Sequence, residues 1–204
     1  MSSKNSIIYY IYPLLLIIFS GIVKAAPILS SNITHYSNTG VFRLTVGSFD
    51  NLVDASNQFD GVGFERIANE EPTVTYNLNT PYQVNSINAF GRFGSNSQGA
   101  VNSFRLDFYS GLNRNDQLIG SFNSGLFSPD HLLSWDVSAL NLLGVQSFTL
   151  VMLERDAITS PSVPGQWYEM GHLSLDASPV PIPAAAWLLG SALIGLFGIK
   201  LKKY

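Results

Sequence analysis

Val74, Thr75, Tyr76, Asn77 and Leu78 alternate apolar and polar side chains without a break. A period of two sends successive side chains to opposite faces, so this stretch predicts a β-strand with one buried face. Phe104, Leu106 and Phe108 repeat the pattern against Arg105, Asp107 and Tyr109, as do Phe42, Leu44 and Val46 against Arg43 and Thr45. Leu173 and Leu175 do so against His172, Ser174 and Asp176. Residues 146–153 are apolar on both faces, which predicts a central strand covered on both sides. Further strands are expected at 62–67, 84–90, 118–122, 132–137 and 167–170. Turn-forming runs rich in Gly, Ser and Asn, at 94–99 and 110–116, separate them. Residues 138–144 read as one helical turn with a Ser start and a Gly stop. Short strands at close spacing, with no internal repeat and no long helical pattern, predict an all-β, two-sheet antiparallel sandwich.

Outward from these strands the composition changes. The chain has 204 residues, no cysteine, and a charged fraction of only 12%. Without cysteine there is no disulfide framework, thiolate metal site or cysteine nucleophile. All five lysines (Lys4, Lys24, Lys200, Lys202, Lys203) lie at the two ends, whereas the six arginines and all fourteen acids lie within residues 26–178. The middle is therefore acidic, which disfavours nucleic acid as a partner.

The first 25 residues combine a short basic lead, an apolar run and small residues before a break at Ala25 and Ala26. This is the pattern of a secretory signal peptide that engages the Sec translocon and is cut between Ala25 and Ala26. At the other end, residues 184–199 form an uncharged run of sixteen residues ending in Lys200, Lys202 and Lys203. As a helix it spans about 24 Å, a little short of the roughly 30 Å hydrocarbon core, with the basic end on the cytoplasmic side. Before it, Pro179, Pro181 and Pro183 enforce an extended segment.

Val180, Pro181, Ile182, Pro183 and Ala184, followed by the apolar helix and the basic cluster, resemble the PEP-CTERM sorting signal in its VPxPA variant. The resemblance implies recognition by an exosortase, a transient stay in the inner membrane and removal of the tail. Delivery to the cell surface or extracellular matrix of a Gram-negative bacterium would follow. Val-Pro-Ile-Pro replaces the eponymous Pro-Glu-Pro, which leaves the exosortase subtype and the cut undefined. Residues 76–90 (Tyr-Asn-Leu-Asn-Thr-Pro-Tyr-Gln-Val-Asn-Ser-Ile-Asn-Ala-Phe) and 145–153 (Val-Gln-Ser-Phe-Thr-Leu-Val-Met-Leu) resemble strands of galactose-binding-like, discoidin-type jelly rolls. That likeness implies that the sandwich is jelly-roll-like, with a ligand, commonly carbohydrate, at the loops of one end, and sometimes a structural calcium.

The chemistry-bearing residues are sparse. No G-x-S-x-G elbow, phosphate loop or histidine pair of metal-binding spacing occurs, and His35, His131 and His172 fall in unrelated surroundings. Asp50, Asp54 and Asp60, set among Asn51, Ser56 and Asn57, offer hard oxygen ligands for a structural calcium, although the register is not that of an EF-hand. No other cofactor is expected. Trp167 and Tyr168 are candidate sugar platforms, because an aromatic face complements the apolar face of a pyranose; Trp135 is assigned to the core.

These readings divide the chain into a signal peptide (1–25), a β-sandwich (26–178) and a sorting signal (179–204). The expected function is an exported, non-catalytic surface or matrix protein that binds extracellular polysaccharide. Two alternatives stand beside it: a structural matrix component without a ligand, and a secreted glycan hydrolase with an unrecognised acid pair.

Overall fold

The computed structural model describes residues 25–39, 41–42, 49–53, 62–65, 71–91, 99–155 and 167–180. The strands are β1 (Ala26–Pro27), β2 (Ile33–Thr39), β3 (Val41–Phe42), β4 (Val62–Glu65), β5 (Thr73–Phe90), β6 (Val101–Tyr109), β7 (Leu118–Asn123), β8 (Leu133–Asp136), β9 (Leu142–Arg155), β10 (Trp167–Met170) and β11 (His172–Pro179). One short helix, α1 (Phe49–Leu52), lies between β3 and β4. The main sheet runs β1-β11-β5-β9-β6-β7, with β2 and β8 also on β5, and a small sheet runs β10-β4-β3. All these pairings are antiparallel. This is the all-β antiparallel sandwich that the alternating pattern predicts, with the jelly-roll character that the resemblance implies.

The 18-residue β5 organises the fold. Its first part pairs with β2 on one flank and β9 on the other; its second part pairs with β11 on one flank and with β9 and then β8 on the other. The expected strands at 74–78 and 84–90 are thus one continuous strand, interrupted in its pairing at residues 79–81. Burial follows the interruption. Val74, Tyr76 and Leu78 face inward before it, and Tyr82, Val84, Ile87 and Ala89 after it. The inward parity changes between Val84 and Ile87 because Asn85 is an extra residue, skipped between the pairs Val84↔Ala177 and Ser86↔Asp176. A bulge of this kind bends and twists a strand.

The core is built from aromatic and branched side chains of both layers. Phe104 of β6 meets Trp135 of β8 edge-on at 5.6 Å, and Phe122 and Phe127 stand at 6.1 and 5.8 Å from it. Tyr76 stacks on Phe148 at 5.3 Å. Each buried side chain of this size contributes about 1.5–3 kcal/mol relative to exposure. Trp135 therefore belongs to the core, as its sequence context predicts. β9 lies between β5 and β6 and is buried on both faces from Ser147 to Met152, as expected for 146–153. Its outward side chains include Ser147 and Thr149, and Thr149 is satisfied by a hydroxyl contact with Thr75 at 3.0 Å.

Three local readings change. β1 and β2 carry too weak an alternation to be read from sequence, yet both add to the main sheet. The predicted turn at 138–144 is a 3-10 turn at Ser138–Leu140, and it stops at Asn141 in the left-handed region (φ 49°) rather than at Gly144. Ser138 is not its cap; the carboxylate of Asp136 accepts the Ser138 backbone N–H at 2.9 Å. Of the expected strand at 42–46, only Phe42 lies among the described residues.

Candidate functional site

The bend in β5 opens a cleft. Asn77 pairs with Ser147 and Tyr82 with Val145, so Leu78, Asn79, Thr80 and Pro81 lie opposite the single residue Gln146. On the other flank β2 stops at Leu78 and β11 begins at Tyr82. Asn, Thr and Pro suit such a departure, being turn formers with low strand propensity or no donor. The result is a cleft of about 330 Å³ lined by Thr34, Asn77, Leu78, Asn79, Thr80, Pro81, Leu112 and Gln146.

Its rim is fixed from the β6–β7 connection. Asn113 and Arg114 both have positive φ, 61° and 60°. This conformation is costly for residues with a Cβ, though Asn tolerates it best. Asn77 holds it in place, donating from Nδ2 to Asn113 Oδ1 at 2.6 Å and accepting the Asn113 backbone N–H at 2.8 Å. Ser147 Oγ donates to the Gly111 carbonyl and accepts the Arg114 N–H at 3.4 Å. Gly111 is required here, because a Cβ would run into the Asp116 side chain at 2.5 Å. The strapped turn leaves Leu112 47% exposed at the cleft. On the far side, Asn79 donates to Asn32 Oδ1 at 2.8 Å.

Among the described residues the lining carries no ionisable side chain. Two carboxylates flanking a bond, or a nucleophile beside a base, are what hydrolysis requires, and neither occurs among the described lining residues. Its polar groups are amides and hydroxyls, and its apolar ones are Leu78, Pro81 and Leu112.

The residues singled out from sequence are distributed otherwise. Tyr168 is 4% exposed, with the Arg155 guanidinium 5.5 Å from its ring centroid, so its ring offers no open platform in this structure. Trp167 precedes it in β10, at the register position facing Glu65; its ring lies outside the described residues. Asp50 lies on α1, while its side chain and all of Asp54 and Asp60 lie outside the described residues. No group of three or more His, Asp or Glu side chains suited to a metal occurs among the described residues. His172 is on β11 and buried, not on a solvated face; His35 is on β2, stacked on Phe49 at 3.9 Å. Of the sorting motif only Val180 is described, its N–H bonded to the Pro81 carbonyl at 3.0 Å. Pro181, Ile182, Pro183, Ala184 and the basic tail lie outside the described residues. No helix among the described residues is long and apolar enough to cross a membrane. Ala26 opens β1 and pairs with Ala177. The cleft itself was missed, because its residues lack charge or an aromatic ring; the Asn-Thr-Pro interruption of the alternation was the available signal.

A jelly-roll sandwich with an uncharged cleft at a sheet crossover is the class of molecule defined here. Its fold is that of CBM32 domains. It is similar to CBM32-3 from a family 31 glycoside hydrolase of Clostridium perfringens, with a TM-score of 0.53 and 13% identity over 74% of this chain and 95% of that one. The family 32 CBM of C. perfringens NanJ, solved in complex with galactose, superposes with a TM-score of 0.52 and 12% identity, covering 73% and 96% of the two chains. A putative chitobiase fragment from Bacteroides thetaiotaomicron reaches a TM-score of 0.58 at 8% identity, covering 80% and 99%. No family model and no curated protein matches the chain.

Proposed function

We propose that this protein is an exported, non-catalytic carbohydrate-binding protein of the cell surface or extracellular matrix. The observation that carries the reading is a CBM32-like sandwich whose described cleft presents amides, hydroxyls and apolar carbons but no carboxylate. One similar domain was solved with galactose and another, at 16% identity, with GalNAc-β-1,3-galactose. The test is retention of the full-length protein, in detergent, on extracellular polysaccharide extracted from the producing cells. Saturable retention supports the reading. Retention on no glycan favours a structural matrix component, and turnover abolished by a single acid-to-amide change establishes a hydrolase.

Export and sorting rest on the sequence. We propose that the chain is cut between Ala25 and Ala26 after Sec export. An exosortase then reads Val180, Pro181, Ile182, Pro183 and Ala184 while the helix and Lys200, Lys202 and Lys203 hold it in the inner membrane. Intact-mass measurement of the surface-exposed form is decisive, since a tail still attached rules out cleavage. Asp50, Asp54 and Asp60 remain our proposed calcium loop. If added calcium leaves the melting temperature unchanged, that proposal fails. Trp167 remains a proposed contact of the same glycan.

A further inference from the structure

Resting on the carbohydrate reading, we infer that the cleft at the β5 bend binds a single uncharged pyranose unit. Its volume of about 330 Å³ is at the lower end of the ~300–1,000 Å³ typical of small-molecule sites. A sugar presents hydroxyls around its edge and C–H groups on its faces, so it needs both hydrogen-bonding groups and apolar contact. Thr34, Thr80 and Gln146 supply the first: their side chains make no hydrogen bond within the described residues. Asn77 and Asn79 add to them. Each amide uses one donor and one acceptor interaction internally, on Asn113 and on Asn32 and Tyr82, which fixes its plane and leaves its second N–H available. Leu112 and Pro81 supply the apolar contact.

The absence of ionisable lining decides the ligand class. A uronate or phosphate entering the cleft loses hydration with no counter-charge to replace it, whereas a neutral sugar exchanges water for amides and hydroxyls. Arg114, in the same turn, is exposed and is not part of the lining. A metal ion finds no carboxylate there. The cleft also comes preformed: the internal bonds of Asn77 and Ser147 set the position of Leu112 before any ligand arrives, which lowers the ordering cost of binding.

The test is calorimetric titration of the full-length protein in detergent with galactose, N-acetylgalactosamine and galacturonic acid. Expected is binding of at least one neutral sugar, with galacturonic acid about tenfold weaker or worse. Thr34→Trp fills the cleft and is expected to weaken binding more than about tenfold. Gln146→Ala, which removes a polar group without steric intrusion, is expected to weaken it several-fold and serves if Thr34→Trp fails to fold. Galacturonic acid binding as well as the neutral sugars overturns the ligand class. Wild-type affinity in both folded variants, with loss in Trp167→Ala, overturns the cleft but leaves the carbohydrate reading standing. No binding of these sugars or of the extracted polysaccharide by the wild-type protein removes both.

Discussion

Asn77 and Asn113 hold each other by two hydrogen bonds across the β5–turn boundary, at 2.6 and 2.8 Å. They lock a backbone that Asn113 and Arg114 adopt at positive φ. We predict that Asn77→Ala costs about 2 kcal/mol, because both Asn113 groups lose their partner while part-buried. Asn113→Gly should be milder than Asn113→Val, since Gly takes the left-handed conformation freely and keeps the backbone donor. Urea denaturation of the three variants checks the order; equal losses for Gly and Val would show that conformation plays no part.

Phe104 is fully buried and touches Phe122, Phe127 and Trp135. We predict that Phe104→Ala destabilises the domain by about 3–5 kcal/mol, the range for a large aromatic replaced by a cavity. Because Trp135 loses its edge-on neighbour, the near-ultraviolet circular dichroism should change with the stability. A loss under about 1 kcal/mol would mean that the two layers do not meet at this residue.

Gly91 and Gly125 differ in what a methyl group would encounter. At Gly91 it would collide with the Val101 carbonyl and come within 2.8 Å of Pro129 Cβ; at Gly125 it would meet nothing within 4 Å. Gly91→Ala is therefore expected to cost about 3 kcal/mol or more through backbone displacement. Gly125→Ala should cost only about 1 kcal/mol, from the strain of φ +63°. Comparing melting temperatures tests the contrast, and the reverse order would refute the packing at Gly91.

Asp136 accepts the Ser138 backbone N–H at 2.9 Å, and the Ser138 hydroxyl, with this N–H, holds its carboxyl below the usual aspartate range. A lowered folded-state pKa means that the unfolded chain takes up the proton first. The contribution to stability is present above the unfolded-state pKa and is lost as pH falls through the folded one. NMR titration should place Asp136 below an ordinary aspartate, and Ser138→Ala should move it back up. No movement on that substitution would exclude Ser138 as the cause.

The sandwich was legible because apolar and polar side chains alternate in Val74–Leu78, Phe104–Phe108 and Leu173–Leu175, and that period survives any arrangement of the sheets; only Phe104–Phe108 buries strictly every second side chain, since Thr75 and Ser174 are buried as well. The continuity of β5 was not legible. Asn79, Thr80 and Pro81 carry turn chemistry, and only pairing with β2 and β11 in succession keeps the chain extended through them. β2 was hidden for a related reason: Thr34, Tyr36 and Asn38 alternate with His35 and Ser37, so hydropathy gives no inward face. Tyr168 shows the opposite limit. An aromatic pair reads equally as a platform or as core, and here the Tyr168 ring is buried under Arg155. The cleft depends on a four-against-one mismatch between β5 and β9, which is a property of register rather than of composition.

The pairing of Ala26 with Ala177 has a mechanical consequence. β1 and the end of β11 lie side by side and antiparallel, so Ala26 and Ala177 meet at one edge of the main sheet. Before the proposed cut at Ala26, tension between the two ends of the chain pulls across these strands, opening the short β1–β11 ladder bond by bond as a zipper opens. The Ile28 N–H to Leu175 carbonyl bond and the two pairs beside it yield first. The aromatic core between β6 and β8 lies off that line of force.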